Sequence, residues 1–287
     1  MSMNSFHYSD RQKLVANHRE KTMTITRRLI LAAAAATMMA SSAPAMADIK
    51  LGVAAEPYPP YSSKDASGKW VGWEIELMDA ACAEMKEKCE LVEVAWDGII
   101  PALTSKQIDV IWSSMSITDK RKETIDFSDM YYVTPAVLIG TKNGDTNIAP
   151  EHLKGKILGV QVSTTHERYA QKFFAPAGAE IKTYATQDEV NNDLAAGRLD
   201  YVQADSTALY AFIATSQGTD CCEVKGIIPK DMETLGGGVG AGLRKEDTAL
   251  KDKINAAIAA MAKAGKFEEI TKKYPELIGI IATPKAM

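Results

Sequence analysis

From residue 48 onward, short apolar runs with strand-like spacing alternate with longer stretches in which apolar residues recur every three or four positions. Strands are predicted at 49–54, 90–95, 108–113, 133–140, 157–161, 180–184, 199–203, 223–228 and 239–244. Helices are predicted at 73–86, 97–105, 164–174, 187–196, 206–215, 248–264 and 267–273. The helix at 248–264 has the clearest pattern, with Leu250, Ile254, Ala257, Ile258 and Met261 on one side and Lys and Asp on the other. Strands interleaved with helices predict α/β sheets with much parallel pairing. Two breaks interrupt the pattern. Thr134-Pro135 leads to the turn-rich Lys142-Asn143-Gly144-Asp145, and Gly236-Gly237-Gly238 is followed by Gly240 and Gly242. Two crossings at these places make the middle of the chain an insertion into the first domain.

The N-terminus has a different pattern. Arg27-Arg28 precedes Leu29-Ile30-Leu31 and an alanine run, and Ala43-Pro44-Ala45-Met46-Ala47 ends it with small residues. A basic region, an apolar region and a small-x-small ending form a secretory signal, with cleavage expected after Ala47. A membrane anchor is the alternative, but Ser41, Ser42 and Pro44 fall in the last third of the uncharged stretch. No cysteine follows it to carry a lipid.

Export implies an oxidising compartment, which bears on Cys82, Cys89, Cys221 and Cys222. Along an unbroken helix, seven residues span about 10.5 Å, too far for a disulfide. A strand begins at about residue 90, so the chain must turn near Lys88 and carry Cys89 back toward Cys82. A Cys82–Cys89 bridge is expected, with two free thiols as the alternative. Cys221 and Cys222 are adjacent, and the sequence leaves open whether they are oxidised.

Composition narrows the chemistry. The chain has 287 residues and a formal charge of −4; residues 48–287 hold 27 Lys/Arg against 35 Asp/Glu. A net-acidic body without a basic block is a poor partner for nucleic acid. Residues 48–287 contain no nucleophile elbow or phosphate-binding glycine loop. Their two histidines, His152 and His166, have no metal-ligand spacing. No metal site and no cofactor are expected.

One stretch is specific. Ile111-Trp112-Ser113-Ser114-Met115-Ser116-Ile117-Thr118-Asp119-Lys120-Arg121, continuing to Ile125-Asp126-Phe127-Ser128, resembles the periplasmic polar amino-acid-binding proteins of ABC importers. The likeness is greatest to the lysine/arginine/ornithine- and histidine-binding receptors. Tyr58-Pro59-Pro60-Tyr61, Gly72-Trp73-Glu74-Ile75-Glu76-Leu77, Ala195-Ala196-Gly197-Arg198-Leu199-Asp200 and Gly242-Leu243-Arg244-Lys245 match in the family's order. Ala95-Trp96-Asp97-Gly98-Ile99-Ile100-Pro101 is similar to the opine-binding branch. The resemblance covers residues 48–275. It implies a type II periplasmic binding protein fold, two α/β lobes joined by two hinge strands. Lobe 1 is then 48–134 plus 237–287, lobe 2 is 135–236, and 1–47 is extension and signal.

The resemblance also implies roles for single residues. Arg121 falls where the family grips the ligand α-carboxylate, a task suited to the planar guanidinium fork. Ser114 and Ser116 alternate with Met115, so both hydroxyls can face one side and complete the carboxylate and ammonium contacts. Thr165 stands where a second-lobe strand gives way to a helix N-terminus, though Ser163-Thr164-Thr165 reads equally well as a plain cap. Asp205 falls at the acceptor for the ligand ammonium, with capping of the next helix as its alternative. Tyr58 and Trp96 match the aromatic pair around the ligand side chain.

Two departures bear on specificity. Ala54-Ala55-Glu56-Pro57 replaces the acidic run before the first aromatic with an offset of one, so either Glu56 supplies that charge or the pocket lacks it. His166 stands where the family has glutamine. The resemblance implies a monomeric, non-enzymatic periplasmic receptor that passes an amino acid or opine-like derivative to an ABC permease. The alternative is a cyclohexadienyl or arogenate dehydratase-like enzyme on the same fold, which needs a general acid in the cleft such as Glu56 or Asp97.

Overall fold

The computed structural model describes residues 48–285. Twelve strands are found among them. They are β1 (Ile49–Ala54), β2 (Ser63–Lys64), β3 (Trp70–Val71), β4 (Cys89–Val94), β5 (Val110–Ile111) and β6 (Asp126–Phe127), then β7 (Ala136–Thr141), β8 (Ile157–Gln161), β9 (Glu180–Tyr184), β10 (Tyr201–Asp205), β11 (Cys222–Ile227) and β12 (Gly242–Leu243). Two five-stranded sheets result, in the orders β4-β1-β5-β12-β6 and β11-β7-β10-β8-β9, and β2 and β3 form a small hairpin. The expected secretory signal and its cleavage point, up to Ala47, lie outside the described residues.

Strand burial follows position in the sheet. β1 pairs in parallel with both β4 and β5, so Leu51 through Ala54 are buried without alternation. β7 is bonded on both sides by antiparallel neighbours and reads as a continuous apolar run. β9, at an edge, keeps exposed Glu180, Lys182 and Thr183. Such runs are what interior strands require.

The chain leaves the first sheet after β6 and returns at β12, with the whole second sheet between. The two passages lie side by side. Tyr131 N–H donates to the Val239 carbonyl at 2.9 Å, and Val239 N–H to the Tyr132 carbonyl at 2.8 Å. Gly236 is left-handed at φ +76°, and a Cβ there would come within 2.1 Å of the Ile117 carbonyl. Only glycine fits where the returning chain presses on the segment after β5.

The helix at Trp73–Met85 and the helix at Thr248–Lys263 share the core of the first sheet, burying Trp73, Leu77, Met78, Ile254, Ile258 and Met261 together. The first of these ends at Lys86, which turns left-handed while Glu87 N–H closes on the Cys82 carbonyl. That reversal brings the Cα atoms of Cys82 and Cys89 to 6.2 Å, with their sulfurs bonded. Cys221 and Cys222 are also joined.

Two matched motifs are structural. Arg244 clamps the loop before β5 through the carbonyls of Leu103 and Ile108 and the Asp109 carboxylate. Asp200 accepts from the Ile157 N–H and from Lys156 at the start of β8. Two five-stranded α/β sheets joined by two passages match the two-lobe architecture that the family resemblance implied, and the loops at the ends of the strands build the cleft.

Candidate functional site

All nine residues singled out as ligand-binding line one cleft of about 580 Å³: Glu56, Tyr58, Trp96, Ser114, Ser116, Arg121, Thr165, His166 and Asp205. They come from both sheets. Glu56 and Tyr58 follow β1, Trp96 follows β4, Ser114 and Ser116 follow β5, and Arg121 lies on the single helical turn Asp119–Lys122. From the second sheet, Thr165 and His166 open the helix after β8, and Asp205 ends β10.

Arg121 is only 6% exposed. Its guanidinium donates to the Ser116 carbonyl at 2.9 Å on its own side and to the Ser163 carbonyl at 3.2 Å across the cleft. The indole of Trp96 stacks beneath it at 5.5 Å. Burial, then the neighbouring Arg168, pulls the Arg121 guanidinium down to about 9, while Asp205 acts in the opposite direction. A buried cation in this state gains from an anion, since desolvated charge is costly until it is paired. Its side chain is embedded, rather than open to the cleft along its length.

Asp205 meets it from the other sheet. Asp205 occupies the N-cap position of the helix Ser206–Ile213, but its side chain makes no capping bond. The carboxylate instead accepts from the Tyr58 hydroxyl at 2.8 Å, across the cleft. Burial and then Asp205 hold the Tyr58 phenol well above its usual value, so it remains a donor. His166 Nε2 lies 3.6 Å from the same carboxylate, and its buried Nδ1 has no hydrogen-bond partner among the described residues.

At the helix after β8, the cap is Thr164. Its hydroxyl accepts from the Glu167 N–H at 3.1 Å and donates to the Gln161 carbonyl at 2.7 Å. That leaves Thr165, at the first helical position and 4% exposed, as a hydroxyl facing the cleft. Capping and cleft contact are thus divided between neighbouring threonines.

Glu56 lines the cleft and accepts from the Trp96 N–H at 3.3 Å, which ties the two segments carrying the aromatic pair. Asp97 does not line it; the residue is exposed at the start of a short 3₁₀ turn whose neighbour Trp96 points inward. Proposals that use Asp97 as an acid or a charge in the cleft therefore fall. Sequence reasoning missed Gln161, Thr164 and Gln187, all polar and all in the lining. Each sits at a strand end or helix start, which was the available signal. Among the described residues no group of His, Cys, Asp and Glu could hold a metal ion.

A buried guanidinium and a carboxylate thus line one cleft together with the aromatic side chains of Tyr58 and Trp96. The profile of the bacterial extracellular solute-binding proteins, family 3, matches residues 49–276. The L-arginine-binding protein of Pseudomonas aeruginosa is 43% identical over 227 residues, 79% of this chain and 87% of that protein. The histidine-binding periplasmic protein of Salmonella typhimurium is 38% identical over 256 residues, 88% of this chain and 96% of that one. Among solved structures, an ancestral arginine-binding protein bound to arginine matches with a TM-score of 0.73 at 32% identity, covering 79% of this chain and 97% of that one. With the family profile spanning both sheets and these relatives matched over most of their length, the chain belongs to family 3 of the bacterial extracellular solute-binding proteins.

Proposed function

We propose that this protein is a periplasmic receptor that captures one free amino acid in the cleft and delivers it to the membrane subunits of an ABC importer. The ligand α-carboxylate is met by Arg121, with Thr165 and Ser116 beside it, and its α-ammonium by Asp205. The side chain runs between Tyr58 and Trp96 toward Glu56. The observation that carries this reading is the opposition of Arg121 and Asp205, a buried guanidinium and a carboxylate on different sheets facing one small cleft. A polar or basic side chain suits Glu56 and the aromatic walls, and the names of the matched relatives point the same way, to arginine and histidine. Lysine, ornithine and opine-like derivatives complete the candidates, and His166 is the residue expected to sort among them.

Closure between lobes 48–134 plus 237–287 and 135–236, pivoting on the two passages at Tyr132 and Val239, is the motion that would enclose the ligand. The protein is proposed to act as a monomer without nucleic acid or cofactor, and to be processed after Ala47. A thermal-shift screen of the mature protein against the amino acids and opines tests the function. Stabilisation by one or a few polar or basic members is expected. Stabilisation by aspartate, glutamate or large aliphatic residues alone contradicts it.

A further inference from the structure

A carboxylate is buried directly behind the cleft, on a residue to which the sequence reading gave no role. Glu74 is the second residue of the helix Trp73–Met85 and is 1% exposed. Its two oxygens are bound separately. Oε1 takes the Ser114 N–H at 2.7 Å and the Tyr131 hydroxyl, and Oε2 takes the Ser114 hydroxyl at 2.7 Å. Tyr131 is itself fixed, fully buried and stacked on Trp112 at 4.9 Å. Ser114 is held at φ +50°, a left-handed conformation that a serine adopts only under constraint.

The chemistry follows from counting protons. A serine hydroxyl carries one donor and two acceptor lone pairs. An ionised carboxylate can only accept, so the hydroxyl proton of Ser114 points back to Glu74. The backbone N–H is directed there as well. What Ser114 turns toward the cleft is therefore acceptor only. It cannot complete the carboxylate site, as the sequence reading allowed, and is matched to an ammonium.

We infer that Glu74 is a positioning residue that makes Ser114 an acceptor facing the ligand α-ammonium, so that the cleft selects α-amino acids over carboxylates of the same shape that lack the amine. The inference rests on the amino-acid reading above. Asp205 supplies a charged acceptor for the ammonium, and Ser114 an uncharged one lining the same cleft. Acceptors for the ammonium and a donor, Arg121, for the carboxylate together set the ligand's direction in the cleft.

The test is calorimetric titration of the parent, Glu74→Gln and Ser114→Ala with L-arginine, L-lysine, L-ornithine and L-histidine, and with 5-guanidinopentanoate, which is arginine without its amine. Glutamine keeps an acceptor for the Ser114 N–H but lets its amide donate to the hydroxyl, which then turns its proton outward. The parent should prefer arginine, or whichever amino acid it binds, over the amine-free compound. Glu74→Gln should lose about tenfold or more for the amino acid, the size expected for a hydrogen bond to a charged group, and less than about threefold for 5-guanidinopentanoate. A purely structural role for Glu74 would weaken both ligands alike, and that result overturns the inference. Should Glu74→Gln fail to fold, Ser114→Ala decides, with the same selective loss expected and an equal loss contradicting it. A parent that binds none of the amino acids overturns the amino-acid reading and this inference with it, a failure distinct from the first.

Discussion

Arg121 is held chiefly by fixed backbone, one carbonyl from its own side and one from across the cleft, on an indole platform. Asp205 is held by a side chain, the Tyr58 hydroxyl, which belongs to the opposite sheet. Its own helix leaves it uncapped. If the sheets part, the cation loses its Ser163 bond but keeps the Ser116 carbonyl and the indole of its own side, whereas the one hydrogen bond of the anion crosses the cleft. The difference implies that the carboxylate end is prepared by local structure and the ammonium end is completed by closure. Preorganised donors cost less to engage than groups that must be brought together.

The largest expected effect comes from the prepared end. Arg121→Ala should weaken binding of the best ligand by about 30- to 5,000-fold, the usual cost of about 2–5 kcal/mol for leaving a buried charge unpaired. Arg121→Lys should restore only part of this, because a point charge cannot reproduce the bidentate fork. Calorimetry measures both. A loss of only a few-fold for Arg121→Ala would show that the carboxylate is held elsewhere.

At the completed end, Asp205→Asn should cost about 10- to 150-fold in affinity, the range for a hydrogen bond to a charged group. Tyr58→Phe should cost about tenfold at most, since it removes one donor and leaves the charge. If the contrast between the ends is right, Tyr58→Phe slows ligand-driven closure in stopped-flow fluorescence of Trp96. Asp205→Asn and Tyr58→Phe having equal and large effects would erase the contrast.

The smallest effect is in pH. Burial raises the Glu74 carboxyl above its ordinary value, against the opposing donors Tyr131 and Ser114, and Asp205 raises it further. As pH falls through that raised range the carboxyl takes a proton and becomes neutral, as glutamine is. The affinity ratio of the parent to Glu74→Gln should therefore shrink toward one as pH falls and recover as it rises. Titrations at several pH values check it; a constant ratio would mean that the charge on Glu74 plays no part.

Much of this molecule could be read from its pattern, though unevenly. The helices Trp73–Met85 and Thr248–Lys263 are long enough for three or more turns of periodic burial, and the sequence reading placed both within a residue or so. The single turns Asp119–Lys122 and Ser216–Cys221 were missed, because four to six residues hold too little periodicity to register. The strand predicted over 108–113 shrinks to Val110–Ile111, since only Leu51 and Gly52 of β1 pair with it. In the cleft, no spacing singles out Arg121; the family resemblance brought it forward. Nothing in the sequence could pair Glu74 with Ser114, 40 residues away, or with Tyr131, 57 residues away. Such contacts belong to the tertiary fold. Asp97 shows the converse: a charge adjacent in sequence to a cleft residue faces away, because successive positions in a 3₁₀ turn point in different directions.

The central claim is that the cleft recognises both ends of an amino acid, with Arg121 as its carboxylate receptor. The most direct measurement is calorimetric titration of the parent and Arg121→Ala with L-arginine and with agmatine, the same molecule without its carboxylate. The parent should bind arginine far more tightly than agmatine, and Arg121→Ala should bind the two with similar, weak affinity. A parent that binds agmatine as well as arginine, or an Arg121→Ala protein that still distinguishes them, would contradict the account.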